Sequence, residues 1–227
     1  MNTYMQAQIS MENSTKISLL KIESSFRSRG IHPLDELTKN SNTPFKDVPK
    51  DEQLHFPEND VIDTATGCQY FFHRHSSETS DDSIHIHFFR RWRPEELNLP
   101  EGETIPTHLA ALEFDATGTP VKWFATNQWV TADYWIDAPS TIDLFKGWRI
   151  DAPERSASED IHELCHEWLR LLLMNSLESE ITELLESRDL KLDCLVDLNP
   201  GINPLEDRRF EILSEKLFVH TNSVRHY

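Results

Sequence analysis

The sequence has little glycine and cysteine, and it lacks the motifs that these residues build. Its six glycines form no Walker, G-x-G-x-x-G or G-x-S-x-G motif, which argues against a phosphate-binding loop and a serine-hydrolase elbow. The three cysteines are widely spaced and include no C-x-x-C pair, so neither a disulfide framework nor a thiolate metal site is indicated. We therefore expect a protein of the reducing cytoplasm.

Basic residues and long apolar runs are also scarce. Lys and Arg number 22 against 39 Asp and Glu, which gives a formal charge of −17. Nucleic acids and anionic membranes bind cationic surfaces, so we expect neither as a partner. The longest apolar run, residues 171–174, is too short to cross a bilayer, and residues 1–8 do not have the pattern of a secretory signal. A small-molecule substrate is the partner that fits this composition.

The hydrophobic pattern predicts an α+β protein with one domain, 1–227. A small antiparallel sheet or open barrel in the middle would be flanked by N-terminal and C-terminal helices. The predicted parts are an N-terminal helix within 1–30, an irregular proline-punctuated arm at 31–66, a β core at 67–150 and a helical part at 151–227. Strands are predicted at 69–75, 84–92, 108–115, 121–126, 129–135, 191–198 and 213–220, and helices at 10–28, 160–175 and 178–188.

Histidine is abundant, and two H-x-H pairs stand on neighbouring predicted strands: His73 with His75, and His85 with His87. Alternate side chains of a strand share a face, so each pair presents two rings together. A symmetric hairpin would place His75 opposite His85 and His73 opposite His87. Such a cluster could bind an iron, copper or zinc ion, with His108 as an additional ligand or a supporting group. The alternative is a hairpin whose rings face solvent or are hydrogen-bonded without metal.

Three neighbours of the histidines are candidate substrate-binding residues. Phe71 and Phe89 extend the histidine face by strand alternation and would exclude water from the site. Arg91 lies one step further along the same face, where its guanidinium could hold a substrate carboxylate. Salt bridges to the surplus of acidic residues are the alternative role for Arg91.

A second histidine motif lies in the predicted helix at 160–175. His162 and His166, with Glu163 between them, fit the H-E-x-x-H pattern of zinc proteases. Helical rotation places both histidines away from the apolar face, which indicates a solvated surface, and no third-ligand motif follows.

Two family resemblances accompany the H-x-H pattern. Gly67 precedes His73 by the spacing of the first cupin motif, but the rest of that motif and the second motif are missing, so the cupin resemblance is an architectural analogy. The chain more closely resembles an uncharacterised bacterial family, a domain of unknown function, across about residues 54–135. The similar segments are 55–63 (HFPENDVID), the two H-x-H strands and 126–131 (TNQWVT). This resemblance supports the histidines but implies no reaction.

The sequence thus predicts a mononuclear, histidine-ligated metalloenzyme that acts on a small, anionic molecule. Iron or copper oxygenase-type chemistry is favoured over hydrolysis, because no general base is evident beside the cluster. One alternative is a non-catalytic acidic protein with an interaction, regulatory or metal-handling role. The third is a zinc hydrolase that uses His162 and His166.

Overall fold

The computed structural model describes residues 3–38, 55–74, 83–151 and 160–219, and within them it confirms the predicted α+β fold. An antiparallel sheet that does not close into a barrel packs against helices. Its described strands are β1 Phe56–Ile62, β2 Cys68–His73, β3 Ile84–Trp92, β4 Ile105–Phe114, β5 Pro120–Thr126 and β6 Ile212–Leu217. Its described helices are α1 Thr3–Arg29, α2 Pro33–Thr38, α3 Pro94–Leu97, α4 Gln128–Thr131, α5 Ala138–Phe145, α6 Asp160–Ser176 and α7 Thr182–Leu198.

The strands lie in the sheet in the same order as in the sequence, from β1 to β6, and every neighbouring pair is antiparallel. The long excursion through α4 to α7 occurs between β5 and β6. The described helices include none whose length and hydrophobicity together suffice to cross a lipid bilayer.

One face of the sheet forms the hydrophobic core with the helices. Alternate residues of the central strands, such as Phe72, Phe88 and Trp123, are fully buried on this face. Helix α6 packs against the sheet through Trp168, whose ring lies 6.1 Å from Phe114. Helix α1 packs on α6 in turn, and the core is continuous from the sheet to both helices. The other face of the sheet therefore remains for the histidines.

Several sequence predictions are wrong in ways that tertiary structure explains. The predicted irregular arm at 31–66 contains α2 and β1 in its described parts, while residues 39–54 lie outside the described residues. The predicted strand at 191–198 is the second half of α7, because burial of leucines at helical spacing overrides the local alternation of apolar and polar residues. The predicted strand at 129–135 contains α4, which Asn127 caps. Helix α5 was not predicted.

Candidate metal centre

Strands β2 and β3 pair in a register that differs by two residues from the symmetric hairpin. His73 lies opposite His85, and Phe71 lies opposite His87, so the predicted pairing of His73 with His87 is wrong. A shift of two residues preserves the alternation of side chains, so the three histidines still share one face. His75 lies outside the described residues.

His73, His85 and His87 converge on one point. One ligand nitrogen from each ring lies within 4.8 Å of the other two. The ring centroids are 5.3 Å apart for His73 and His85, 4.9 Å for His85 and His87, and 6.2 Å for His73 and His87. Nitrogens that share a tetrahedral ion lie about 3.3 Å apart at metal–nitrogen bonds of about 2.0–2.1 Å. With its three ligand nitrogens within 4.8 Å of one another, the triad could hold a metal ion.

Burial keeps the innermost ring of this triad neutral. His87 is only 3% exposed. Its burial, followed by the neighbouring rings of His85 and His108, holds its pKa well below the ordinary value of 6.5. A neutral imidazole is the form that binds a metal ion, so the environment of His87 favours ligation at neutral pH.

A β-bulge in β4 determines which residues join the site face. Ala110 lies opposite Phe88, but the next pair joins His108 to Phe89, so Leu109 is an extra residue. In a regular strand, His108 would share the core face of Ala110. The bulge reverses the alternation and places His108 on the face of His87.

His108 contacts His87 and is not in the group of described residues that could hold a metal ion. Its Nε2 atom is 3.0 Å from Nδ1 of His87, and its Nδ1 atom is 3.1 Å from the Thr126 hydroxyl, so both nitrogens have protein partners. Burial, with a smaller contribution from Arg188, lowers the pKa of His108 to about 3. If Nε2 of a neutral His108 accepts a hydrogen bond from the Nδ1–H of His87, Nε2 of His87 is left for a metal ion. This is the geometry of a supporting group.

A cavity of about 780 Å³ lies over the triad, and aromatic side chains form much of its wall. The Phe71 ring stacks on His87 at 5.1 Å and on Phe89 at 5.3 Å between centroids. The Phe124 ring meets His87 edge-on at 5.9 Å. Phe71 and Phe89 thus lie where the sequence predicted them, directly beside the candidate ligands.

A carboxylate–histidine pair at the edge of the cavity was missed by sequence reasoning. His55 stacks on Phe71 at 3.7 Å, and its Nδ1 atom is 2.9 Å from Oδ1 of Asp60. Oδ2 of Asp60 accepts a hydrogen bond from the Gln69 amide at 2.6 Å. Both residues belong to the segment 55–63 that carries the family resemblance, which was the available signal for them.

Arg91 contacts the sheet and is not among the described residues that line the cavity. Its guanidinium donates to the side-chain oxygen of Gln69 at 2.8 Å and to the Thr104 hydroxyl at 2.8 Å. Arg91 therefore supports Gln69 and, through it, Asp60. The predicted clamp on a substrate carboxylate stays a prediction, and the observed contacts do not favour it.

Glu113 supplies a second carboxylate that sequence reasoning missed. It lines the cavity, lies opposite His85 in the β3–β4 register, and has Lys122 at 3.4 Å. A carboxylate therefore lines the cavity, although sequence reasoning identified none beside the cluster. Regular alternation would place His108 and Glu113 on opposite faces of β4, and the bulge brings both to the face that carries the histidine triad.

The second histidine of the H-E-x-x-H segment on α6, His166, packs in the core of the protein. His166 is 6% exposed, which corrects the prediction of a solvated position, and its Nε2 atom lies 3.1 Å from the Tyr70 hydroxyl in the core. His162 is half-buried and Glu163 is exposed. Among the described residues, these side chains are not part of a group of three that could hold a metal ion. The zinc hydrolase based on His162 and His166 therefore has no support.

The chain belongs to a family defined as a domain of unknown function (DUF6969), whose model matches residues 15–218. This match confirms the predicted resemblance to an uncharacterised family and extends it well beyond residues 54–135. No curated protein and no solved structure matches the chain, and the cupin analogy is not supported.

Proposed function

We propose that the protein binds one transition metal ion through His73, His85 and His87 and acts as a metal-dependent enzyme on a small molecule. The observation that carries this proposal is the convergence of three ligand nitrogens beneath a cavity of about 780 Å³. Structural zinc sites use four protein ligands, whereas catalytic sites use three and leave a position for water or substrate. The described triad offers three ligands, which is the number that catalytic sites use.

The surroundings of the triad support this proposal. The second ring nitrogen of a metal-binding histidine usually donates a hydrogen bond to a neighbouring group, which fixes the tautomer and the ring orientation. The contact of His87 with His108, and of His108 with Thr126, provides such a support inside the protein. A solvent-facing histidine hairpin needs no buried support of this kind.

Oxygenase-type chemistry with iron or copper is the first candidate reaction. An all-imidazole ligand set suits iron and copper as well as zinc. Bound iron or copper would supply activation of dioxygen. The protein would bind the substrate in the cavity and exclude water from it with the rings of Phe71, Phe89 and Phe124.

Hydrolysis with zinc is the second candidate, and Glu113 is the observation that favours it. Zinc would supply a water of lowered pKa. The Glu113 carboxylate lines the same cavity and could accept a proton from water or substrate there. A non-catalytic metal-handling role would use the same triad without turnover.

Elemental analysis of the untagged protein tests the proposal. We expect about one equivalent of metal in the wild type and in the control variant His162→Ala, and loss of the metal in His85→Ala/His87→Ala. Circular dichroism would verify that both variants are folded. Bound iron or copper would direct the next assay to oxygen uptake, and bound zinc to hydrolysis.

Two results would overturn the proposed site. One is a wild type that holds no iron, copper or zinc even after reconstitution with each ion. The other is loss of metal in His162→Ala with retention in His85→Ala/His87→Ala. A loaded protein that turns over no substrate class would favour the metal-handling role.

A further inference from the structure

We infer that the cavity selects a ligand with an anionic oxygen attached to an apolar body of about one aromatic ring, such as an aromatic carboxylate. The anionic oxygen would face the triad, and the apolar body would lie on the neighbouring phenylalanine rings. This inference rests on the proposed metal site and names the class of its substrate.

The charge of the site favours an anionic oxygen. Three neutral imidazoles would leave the charge of a divalent ion uncompensated in a largely buried setting, and a buried charge is costly without a partner. Three described carboxylates line the cavity: Asp60, which Gln69 and His55 contact, Glu113, which Lys122 contacts, and Glu211. None of them belongs to the group that could hold a metal ion. An anionic ligand atom at an open position would supply the missing charge.

The surface beside the triad favours an apolar body. Phe71 and Phe89 form a stacked pair, and the centroid of the Phe71 ring lies 5.1 Å from that of the His87 ring. An apolar body beside the triad would have these two rings as neighbours, since both line the cavity. Aromatic rings favour offset-stacked and edge-to-face neighbours, and Phe124 is positioned to provide the edge.

The far wall of the cavity continues this apolar character. Pro106, Val130, Phe210 and Ile212 are apolar residues that line it, and Thr131, Arg209 and Glu211 line it as well and add polar and charged groups. A volume of about 780 Å³ falls within the range of about 300–1,000 Å³ that is typical of small-molecule sites. The cavity therefore offers apolar contacts to the body of a ligand and charged or polar groups at its margin.

The test uses full-length protein loaded with Co²⁺, whose visible absorption reports on its ligands. Benzoate, acetate and benzylamine are the probes. We expect benzoate to shift the spectrum with an affinity at least tenfold tighter than that of acetate, and benzylamine to cause no shift.

Two adjacent residues of β3 provide a matched pair of variants. Phe89 lines the cavity, whereas Phe88 lies on the core face of the same strand. We expect Phe89→Leu to reduce the preference for benzoate over acetate to less than threefold. Phe88→Leu should retain the full preference, because it removes a ring that no ligand contacts.

The outcomes separate this inference from the proposed function. Normal loading of Co²⁺ with equal affinities for benzoate and acetate would overturn the inference and leave the metal site standing. Loss of the preference in Phe88→Leu but not in Phe89→Leu would also overturn it. Failure of the wild type to bind Co²⁺ would overturn the site, and the inference with it.

Discussion

Replacement of His166 by glutamine should make the stability of the protein less dependent on pH. His166 lies on α6 with its Nε2 atom 3.1 Å from the Tyr70 hydroxyl. Its burial, with a smaller contribution from His162, lowers its pKa from 6.5 to about 4, and Asp63 opposes this shift. Glutamine can place its amide near the same position and keep a hydrogen bond to the Tyr70 hydroxyl, but it does not titrate.

The direction and size of the effect follow from proton linkage. Between pH 6.5 and pH 4 the unfolded chain protonates this histidine while the folded protein keeps it neutral, so stability falls as the pH falls through that window. The full shift of the His166 pKa, from 6.5 to about 4, corresponds to a decrease of about 3 kcal/mol in the free energy of unfolding, at 1.36 kcal/mol per pKa unit. About 2 kcal/mol of this should already be lost at pH 5.

Urea unfolding at pH 7.5 and pH 5.0, followed by far-ultraviolet circular dichroism, measures the effect. Between the two pH values, the free energy of unfolding of the wild type should fall by about 2 kcal/mol more than that of His166→Gln. His162→Gln is the control on the same helix and should retain most of the wild-type dependence, because burial is the largest cause of the shift. Parallel losses in the wild type and His166→Gln would refute the reasoning.

Two further predictions concern His108 and the cysteines. His108→Phe should weaken metal binding by about 10- to 100-fold, because His87 loses the neighbour that fixes its ring. Competition with a chelator measures the affinity, and an unchanged affinity would contradict the supporting role. A thiol reagent should label one cysteine of the native protein rapidly, since Cys194 is exposed while Cys68 and Cys165 are buried, and burial raises the pKa of Cys68. Cys194→Ser should abolish the rapid phase, and a persistent phase would mean that a buried thiol is reached.

The local patterns of the sequence were sufficient to predict the centre of the sheet and the histidine group. Strand β3 occupies the predicted residues 84–92, and its H-x-H pair shares a face with His73 as alternation requires. The prediction of a shared face holds although the predicted register was wrong by two residues, because a shift by an even number leaves every side chain on its own face.

Features that depend on contacts distant in the sequence were not predictable in this way. The second half of α7 alternates like a strand, and only its packing on the sheet and on α5 explains its helical form. The burial of His166 depends on Tyr70, which lies 96 residues earlier in the chain. Glu113 was missed because an irregularity in hydrogen bonding leaves no mark in a single sequence.

The bulge at Leu109 divides β4 into two parts that serve the site separately. Residues 110–114 continue the alternation that places Glu113 beside the triad, whereas residues 105–108 follow the opposite alternation and carry His108. The support behind the ligands and the carboxylate in front of them are thus set by different stretches of one strand. A substitution or a change of length on the Ile105 side would alter the support without displacing Glu113. The contact behind His87 and the position of Glu113 in the cavity wall are therefore set independently.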